Sequence, residues 1–418
     1  MDKSEKLQIL KDLISFRTVN DNEHLVTSYL HDLLANHDIP SKYVQYAEGR
    51  DNLVAEFDTG NPGPVLGFSG HADVVHEGAL STWTTPPFEP SVRDNRLYGR
   101  GTSDMKGGTA GLTIAFIELI ESHQIKKGKL RLYVTMGEEV GELGSKLLAD
   151  DGLVDDLDAV VIGEPSGVSK ERLDDYVDSG GAKFPSKLAA HLHQVSHDNG
   201  TAEQHFIFYA HKGWLMYKVT AHGKAAHSSM PKMGVNAIDM LINYYLKEKQ
   251  FYQTIKASDP VLGETVYAPT IIQGGKQINS IPDKATLQVK IRTIPEFDNQ
   301  TIINKLHEMI AELNQRPGYN LSIEIASKRP VINHPGSKII DIAQTAGKHH
   351  LHESLDLPTI GVSLGTDASE YTRVNPKIDV VVLGPGNTTS HQHDEYVDLN
   401  TYFNMIDTYQ EIGSQYLK

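Results

Sequence analysis

The chain contains no cysteine. Disulfides are therefore excluded, and with them thiolate metal sites and cysteine nucleophiles. Any metal must be held by His, Asp and Glu. Long apolar runs are also missing. Stretches such as Val380-Val381-Val382-Leu383 are short, so no segment is expected to span a membrane. Positive charge is scarce relative to negative: 39 Lys and Arg face 54 Asp and Glu, for a formal net charge of −15. That balance disfavours a nucleic-acid partner or an anionic membrane surface. Two glycine fingerprints fail as well. In the stretch from Leu97 to Gly108, Asp104 stands where a dinucleotide-binding turn needs glycine, and a phosphate loop would need Gly-Lys followed by Ser or Thr. A nucleotide-binding oxidoreductase is thereby disfavoured. The first sixteen residues mix Lys, Asp and Glu with Leu7, Leu10, Leu13 and Ile14, which is an amphipathic helix and not a signal peptide. A cytoplasmic protein is the simplest expectation.

What is present is a 418-residue chain, long enough for two or three domains. Apolar runs at 52–57, 65–68, 130–136, 159–162 and 378–383 read as strands, and 4–37 and 109–123 carry helical spacing. The alternation implies an α/β fold with a mixed, largely parallel sheet flanked by helices. Residues 76–98 read as a long irregular loop. Residues 168–210, rich in Asp, Ser, Gly and His, read as an atypical insertion whose His191, His193 and His197 are surface residues of a loop. His349, His350 and His352 are expected at a solvated helix end. From residue 212 the order changes to strand, helix, strand, strand, helix, strand, with strands at 214–220, 265–273, 285–294 and 321–326 and helices at 233–247 and 301–313. That order suits an α+β (ferredoxin-like) domain at 212–327, inserted into a domain made of 1–211 and 328–418.

The chemistry collects at strand ends. Ser69-Gly70-His71-Ala72-Asp73 follows the 65–68 run, and His71 and Asp73 share one face if the strand continues. A neutral imidazole can ligate a metal while a carboxylate fixes its orientation. Gly137-Glu138-Glu139, Gly163-Glu164 and His391 each follow another predicted strand, and ligands of parallel sheets gather beyond such ends. Each signal has a bland reading alone: Asp104 could cap a helix, and Glu138-Glu139 could be a solvated acidic turn. Together they can converge on one site.

With these residues in view, the chain resembles the M20 metallopeptidase family, which includes desuccinylases, deacetylases, aminoacylases and carboxypeptidases. The ordered blocks that carry the resemblance are Gly70-His71-Ala72-Asp73, Gly99-Arg100-Gly101 through Asp104-Met105-Lys106-Gly107-Gly108, Glu138-Glu139, Gly163-Glu164-Pro165 and His391. The block Gly223-Lys224-Ala225-Ala226-His227-Ser228-Ser229-Met230-Pro231 and Gly384-Pro385-Gly386 add to it. The resemblance implies a zinc-peptidase-like catalytic domain, a lid and dimerisation domain, and a homodimer. It implies a pair of zinc ions, with cobalt or manganese possible: one ion on His71 and Glu164, one on Glu139 and His391, and Asp104 bridging. Asp73 would orient His71, Glu138 would be the general acid/base, and His227 would stabilise the oxyanion in a neighbouring subunit. Asn279, Arg292, Gly365 and Thr366 resemble substrate-binding positions. The implied reaction is hydrolysis of an N-acyl amino acid or a dipeptide-like amide, with N-succinyl-diaminopimelate foremost. Acetylornithine deacetylase, aminoacylase and metallodipeptidase activities stay open, as does a metal-binding protein without turnover.

Overall fold

The computed structural model describes residues 1–198, 200–328, 330–332 and 336–418. The chain forms two compact units, one of Met1–Ala210, Ile332–Val362 and Thr366–Lys418, the other of His211–Val331 and Ser363–Gly365. The second unit runs past the expected limit at 327. Its last strand, Leu321–Lys328, continues through Ser327 and Lys328, which pair with Leu215 and Trp214.

The first unit is built on a mixed sheet. Across it run Ser41–Ala47, Arg50–Asp58, Lys129–Thr135, Val65–His71, Ala159–Ile162, Asp379–Val382 and Ile207–His211. The four strands from Lys129–Thr135 to Asp379–Val382 are parallel, and the outer pairings are antiparallel. Val65–His71 is buried along its whole length, as its unbroken apolar character requires of a central parallel strand. The helix Lys106–Glu121 is almost wholly buried and packs against that strand and against the C-terminal helix Leu399–Tyr416. Lys106 lies inside: its Nζ donates to the carbonyls of Leu13 and Phe16 at the end of the helix Lys3–Ser15. The sequence placed this helix at 109–123, treating Gly107-Gly108 as a turn. The glycines are helical for a packing reason. A Cβ on Gly108 would lie 1.9 Å from the carbonyl oxygen of Gly163, so only glycine lets helix and strand end meet there.

Two other expectations change. The stretch 76–98 is not wholly irregular. It contains the hairpin Ser91–Arg93 and Arg96–Tyr98, turned by Asp94 and Asn95, both at positive φ. The stretch 168–210 is not a loop. It holds the helices Lys170–Asp178 and Ser186–Val195, a short strand pair Gly167–Ser169 with Glu203–His205, and the strand Ile207–His211 that joins the large sheet. His191 and His193 are helical, and His193 Nδ1 lies 2.8 Å from Asp174. His349 and His350 end the helix Lys338–His350 and share Glu411.

The second unit is a four-stranded antiparallel sheet in the order Val266–Gly274, Lys284–Thr293, Gly213–His222, Leu321–Lys328. With the helices Ala237–Thr254 and Asn299–Leu313 it has the ferredoxin-like order. Its apolar core includes Leu215, Val219, Leu241, Leu287, Ile291, Ile302 and Leu306. Inside that core sits one carboxylate. Glu248 is fully buried and accepts hydroxyl hydrogen bonds from Tyr217 (2.5 Å), Tyr244 (2.9 Å) and Tyr267 (2.7 Å).

Candidate metal centre

Parallel pairing brings several strand ends to one edge of the large sheet. His71 closes Val65–His71, Glu138 and Glu139 follow Lys129–Thr135, and Glu164 follows Ala159–Ile162. His391 comes after Asp379–Val382, in a turn where its own φ is +63°. Asp104 enters from the 99–105 loop that leads into the helix Lys106–Glu121, and the Asp104–Met105 peptide is cis.

The side chains converge. His71 Nε2 lies 3.2 Å from Asp104 Oδ1 and 3.6 Å from Glu164 Oε1. His391 Nε2 lies 3.2 Å from Asp104 Oδ2 and 3.0 Å from Glu139 Oε1. Asp104 thus turns one oxygen to each histidine. Ligand atoms of His71, Asp104 and Glu139 fall within 4.8 Å of one another, and so do those of His71, Glu138 and Glu164. His71 Nδ1 lies 2.9 Å from the carbonyl oxygen of Asp73. A carbonyl only accepts, so Nδ1 carries a proton, and Nε2 is the nitrogen that faces the cluster.

Asp73 differs from the expectation. Its carboxylate does not make the hydrogen bond that orients His71; its main-chain carbonyl does, and Oδ1 stays 3.6 Å from Nδ1. The carboxylate instead accepts from the amides of Glu138 (3.0 Å) and Glu139 (3.1 Å). The strand ends at His71, so the geometry that would align the two side chains does not persist to Asp73.

Burial and mutual repulsion dominate the electrostatics. Burial, the Glu164 charge and the Glu139 charge hold the Glu138 carboxyl well above the usual range. Burial and Asp104 do the same for Glu164. Burial lifts Asp73 to about 6. Burial pulls His71 down, but Glu164 and Asp104 outweigh it and raise it. Hydrogen bonds to Asp104 and Glu139 lift His391 to about 10. So many acids facing two imidazoles is a site short of positive charge. Hard oxygen and imidazole donors at these distances suit divalent ions.

Thr366 and Asp367 begin the helix Ala368–Val374. Thr366 is buried, and Asp367 Oδ2 accepts from Thr135 Oγ1 at 2.6 Å. The Asp367 charge is one of those that raise Glu138 and Glu164. Gly365 falls in the second unit, as do His227, Asn279 and Arg292. There, the Ser228 amide donates to the Asn279 carbonyl (3.0 Å), so His227 and Asn279 are neighbours. His227 is exposed; its Nδ1 accepts from the Ser229 amide at 3.2 Å, which leaves the ring N–H on Nε2. Arg292 lies at the other end of the strand pair, where Arg292 pairs with Trp214 while Lys284 pairs with His222. Its positive charge helps to depress both His211 and Lys212.

One residue at the centre had no role in the sequence reading. Glu395 is buried, and its carboxylate binds the loop that carries Asp104. Only its position four residues after His391 hinted at it.

The model of the peptidase family M20/M25/M40 matches residues 67–415. A probable succinyl-diaminopimelate desuccinylase from Staphylococcus aureus strain MRSA252 is 37% identical, with 100% of this chain and 98% of the relative covered. A succinyl-diaminopimelate desuccinylase from Wolbachia pipientis wMel is 26% identical over 99% of this chain and 94% of its own length. Among solved structures, an M20 family metallo-carboxypeptidase from Sulfolobus solfataricus has the same fold at a TM-score of 0.78 and 16% identity, with 100% of both chains covered. A tripeptidase from Staphylococcus aureus subsp. aureus Mu50 superposes at 0.73 with 20% identity, covering 100% of this chain and 99% of that one.

Proposed function

Because the chain belongs to peptidase family M20/M25/M40 and is a metal-dependent amide hydrolase, we propose that it removes the acyl group from an N-acyl amino acid, N-succinyl-LL-2,6-diaminopimelate first among them. The observation that carries the chemistry is the strand-end cluster in which Asp104 offers one oxygen to each of two histidines, His71 buried and His391 half exposed. In this reading His71 and Glu164 would hold one zinc ion and Glu139 and His391 the other, with Asp104 shared between them. Cobalt and manganese suit the same donors. Two ions so held would polarise the amide carbonyl and make water acidic enough to attack at neutral pH.

The chain's own groups supply the proton transfers. Burial and the Glu164 charge raise the Glu138 carboxyl in the metal-free chain, and its place beside His71 and Glu164 lets it, once ionised next to bound cations, take the proton of the attacking water and return it to the leaving amine. Asp73 holds the amides of Glu138 and Glu139 and so fixes both carboxylates. His227 presents an Nε2–H, the donor an oxyanion requires. Arg292, in the company of His211 and Lys212, suits a substrate carboxylate, and Asn279, Gly365 and Thr366 complete the binding set.

The proposal includes a homodimer formed by the second unit. Eight residue steps of extended chain, roughly 26 Å, separate the end of the strand pair that carries Arg292 from the end that leads to His227. One substrate of amino-acid size does not reach both from one protomer. The edge strand Val266–Gly274 exposes Val266, Ile271 and Ile272, and Ile278 beside it is fully exposed. An apolar unpaired edge of this kind invites a partner. No helix among the described residues is long and apolar enough to cross a membrane, and a cytoplasmic location is part of the proposal.

The test is a substrate panel with zinc added: succinyl-diaminopimelate, acetylornithine, other N-acyl amino acids and dipeptides. Preference in kcat/KM for the succinyl substrate is expected. Equal or better turnover of another member would replace the specific substrate while leaving the hydrolase in place.

A further inference from the structure

The 99–105 loop has no regular secondary structure to satisfy its amides, yet it must hold Asp104 so that each carboxylate oxygen meets a different histidine. Buried amides need acceptors. Main-chain carbonyls serve the amides of Arg100 and Thr102, and a single side chain serves those of Gly101, Ser103 and Asp104. Glu395 Oε1 accepts from the amides of Ser103 (2.8 Å) and Asp104 (2.9 Å). Its Oε2 accepts from the Gly101 amide (3.1 Å) and from Arg100 Nη1 (2.5 Å). The main chain joins in, with the Gly99 amide donating to the Glu395 carbonyl at 3.0 Å. Glu395 is wholly buried, and Arg100 is only 2% exposed and lies over the Trp83 ring. The next residue, Tyr396, pairs with Tyr98, so strand pairing fixes the Glu395 backbone against the start of the same loop.

From this we infer that Glu395 is the positioning residue of Asp104, and that it couples Asp104 to His391. Glu395 and His391 stand four residues apart on one short segment. That segment contributes a histidine to the cluster directly and sets the second group, Asp104, through its amide. A displacement of the segment therefore moves both groups together, which preserves the 3.2 Å approach of His391 Nε2 to Asp104 Oδ2. The carboxylate is required because four donors converge on it. A glutamine would turn an NH2 toward amide or guanidinium donors and leave some of them without acceptors.

The inference rests on the reading of this cluster as a metal centre. Its test is cobalt(II) binding to metal-free protein, followed by calorimetry and by the visible absorption of the bound ion. Glu395→Gln, with wild-type protein and Glu248→Gln as comparisons, is expected to weaken at least one of the two bound ions about 10-fold to 100-fold and to change the cobalt absorption. Glu248→Gln, altering an equally buried carboxylate that belongs to the other unit and hydrogen-bonds to three tyrosines, is expected to change neither. If Glu395→Gln does not fold, Glu395→Asp decides: it keeps the charge, shortens the reach by one carbon, and is expected to shift the affinity in the same direction. Folded Glu395 variants with wild-type affinity and absorption would overturn the inference. A wild-type protein that binds no cobalt would instead overturn the metal centre itself.

Discussion

The two units each bury carboxylates, and they treat them oppositely. In the second unit Glu248 lies alone in an apolar core, and the chain gives it three tyrosine hydroxyls. In the first unit Asp104, Glu138, Glu139 and Glu164 face one another and two histidines. Burying a charge is costly unless donors or counter-charges compensate. The tyrosine cage compensates from within the fold, so Glu248 is structural. The strand-end cluster lacks enough compensation of its own, and the deficit is what a pair of cations would fill. Buried acid by itself says little about function; the supply of donors around it says a great deal.

Four experiments test that contrast. The largest effect is expected from metal removal: chelation should reduce amide hydrolysis to background and zinc or cobalt should restore it, while Glu248 variants keep their metal stoichiometry. Glu138→Gln should lower kcat about 10²-fold to 10⁴-fold with both ions still bound, as read by steady-state kinetics and metal analysis. Retained turnover would remove Glu138 as the base. Glu248→Leu should act the other way, lowering stability by roughly 3 kcal/mol through hydroxyls left without an acceptor, with metal content unchanged in denaturant titration and elemental analysis.

The fourth uses pH and stays within the second unit. Burial, aided by Arg292, holds His211 down at about 4, although its Nδ1 bonds to the Lys212 carbonyl. The unfolded value is about 6.5, so folding favours the neutral ring. The contribution is full above about pH 6.5 and is lost as pH falls through 4, on the order of 3 kcal/mol across that window. His211→Asn should flatten that part of the stability curve, measured in urea between pH 7 and pH 4. A slope matching wild type would show that His211 does not set it.

Much of the centre was legible because its residues sit at the ends of apolar strands. His71, Glu138, Glu139, Glu164 and His391 carry that local mark, and pairing in parallel brings such ends together. What was not legible depends on distance along the chain. Nothing near Glu395 announces that its oxygens serve amides nearly 300 residues away. The contacts of the Asp73 carboxylate are not legible in His-x-Asp, which looks like a strand pair although the strand ends at His71, two residues before Asp73. The helical content of 168–210 was hidden by its polar composition. Its helices bury few residues, among them Leu173, Leu192 and Val195, too few to make a strong period.

The contact between Gly108 and Gly163 has a consequence for how the centre can vary. Asp104 precedes the helix that contains the one glycine, and Glu164 directly follows the other. Because main chain rests on main chain there, no methyl group can be inserted between them. The gap across which these two acids face each other therefore has a mechanical stop, set by atoms that every amino acid shares. Core side chains elsewhere can drift in size without retuning it. The separation of these two acids is thus inherited with the fold.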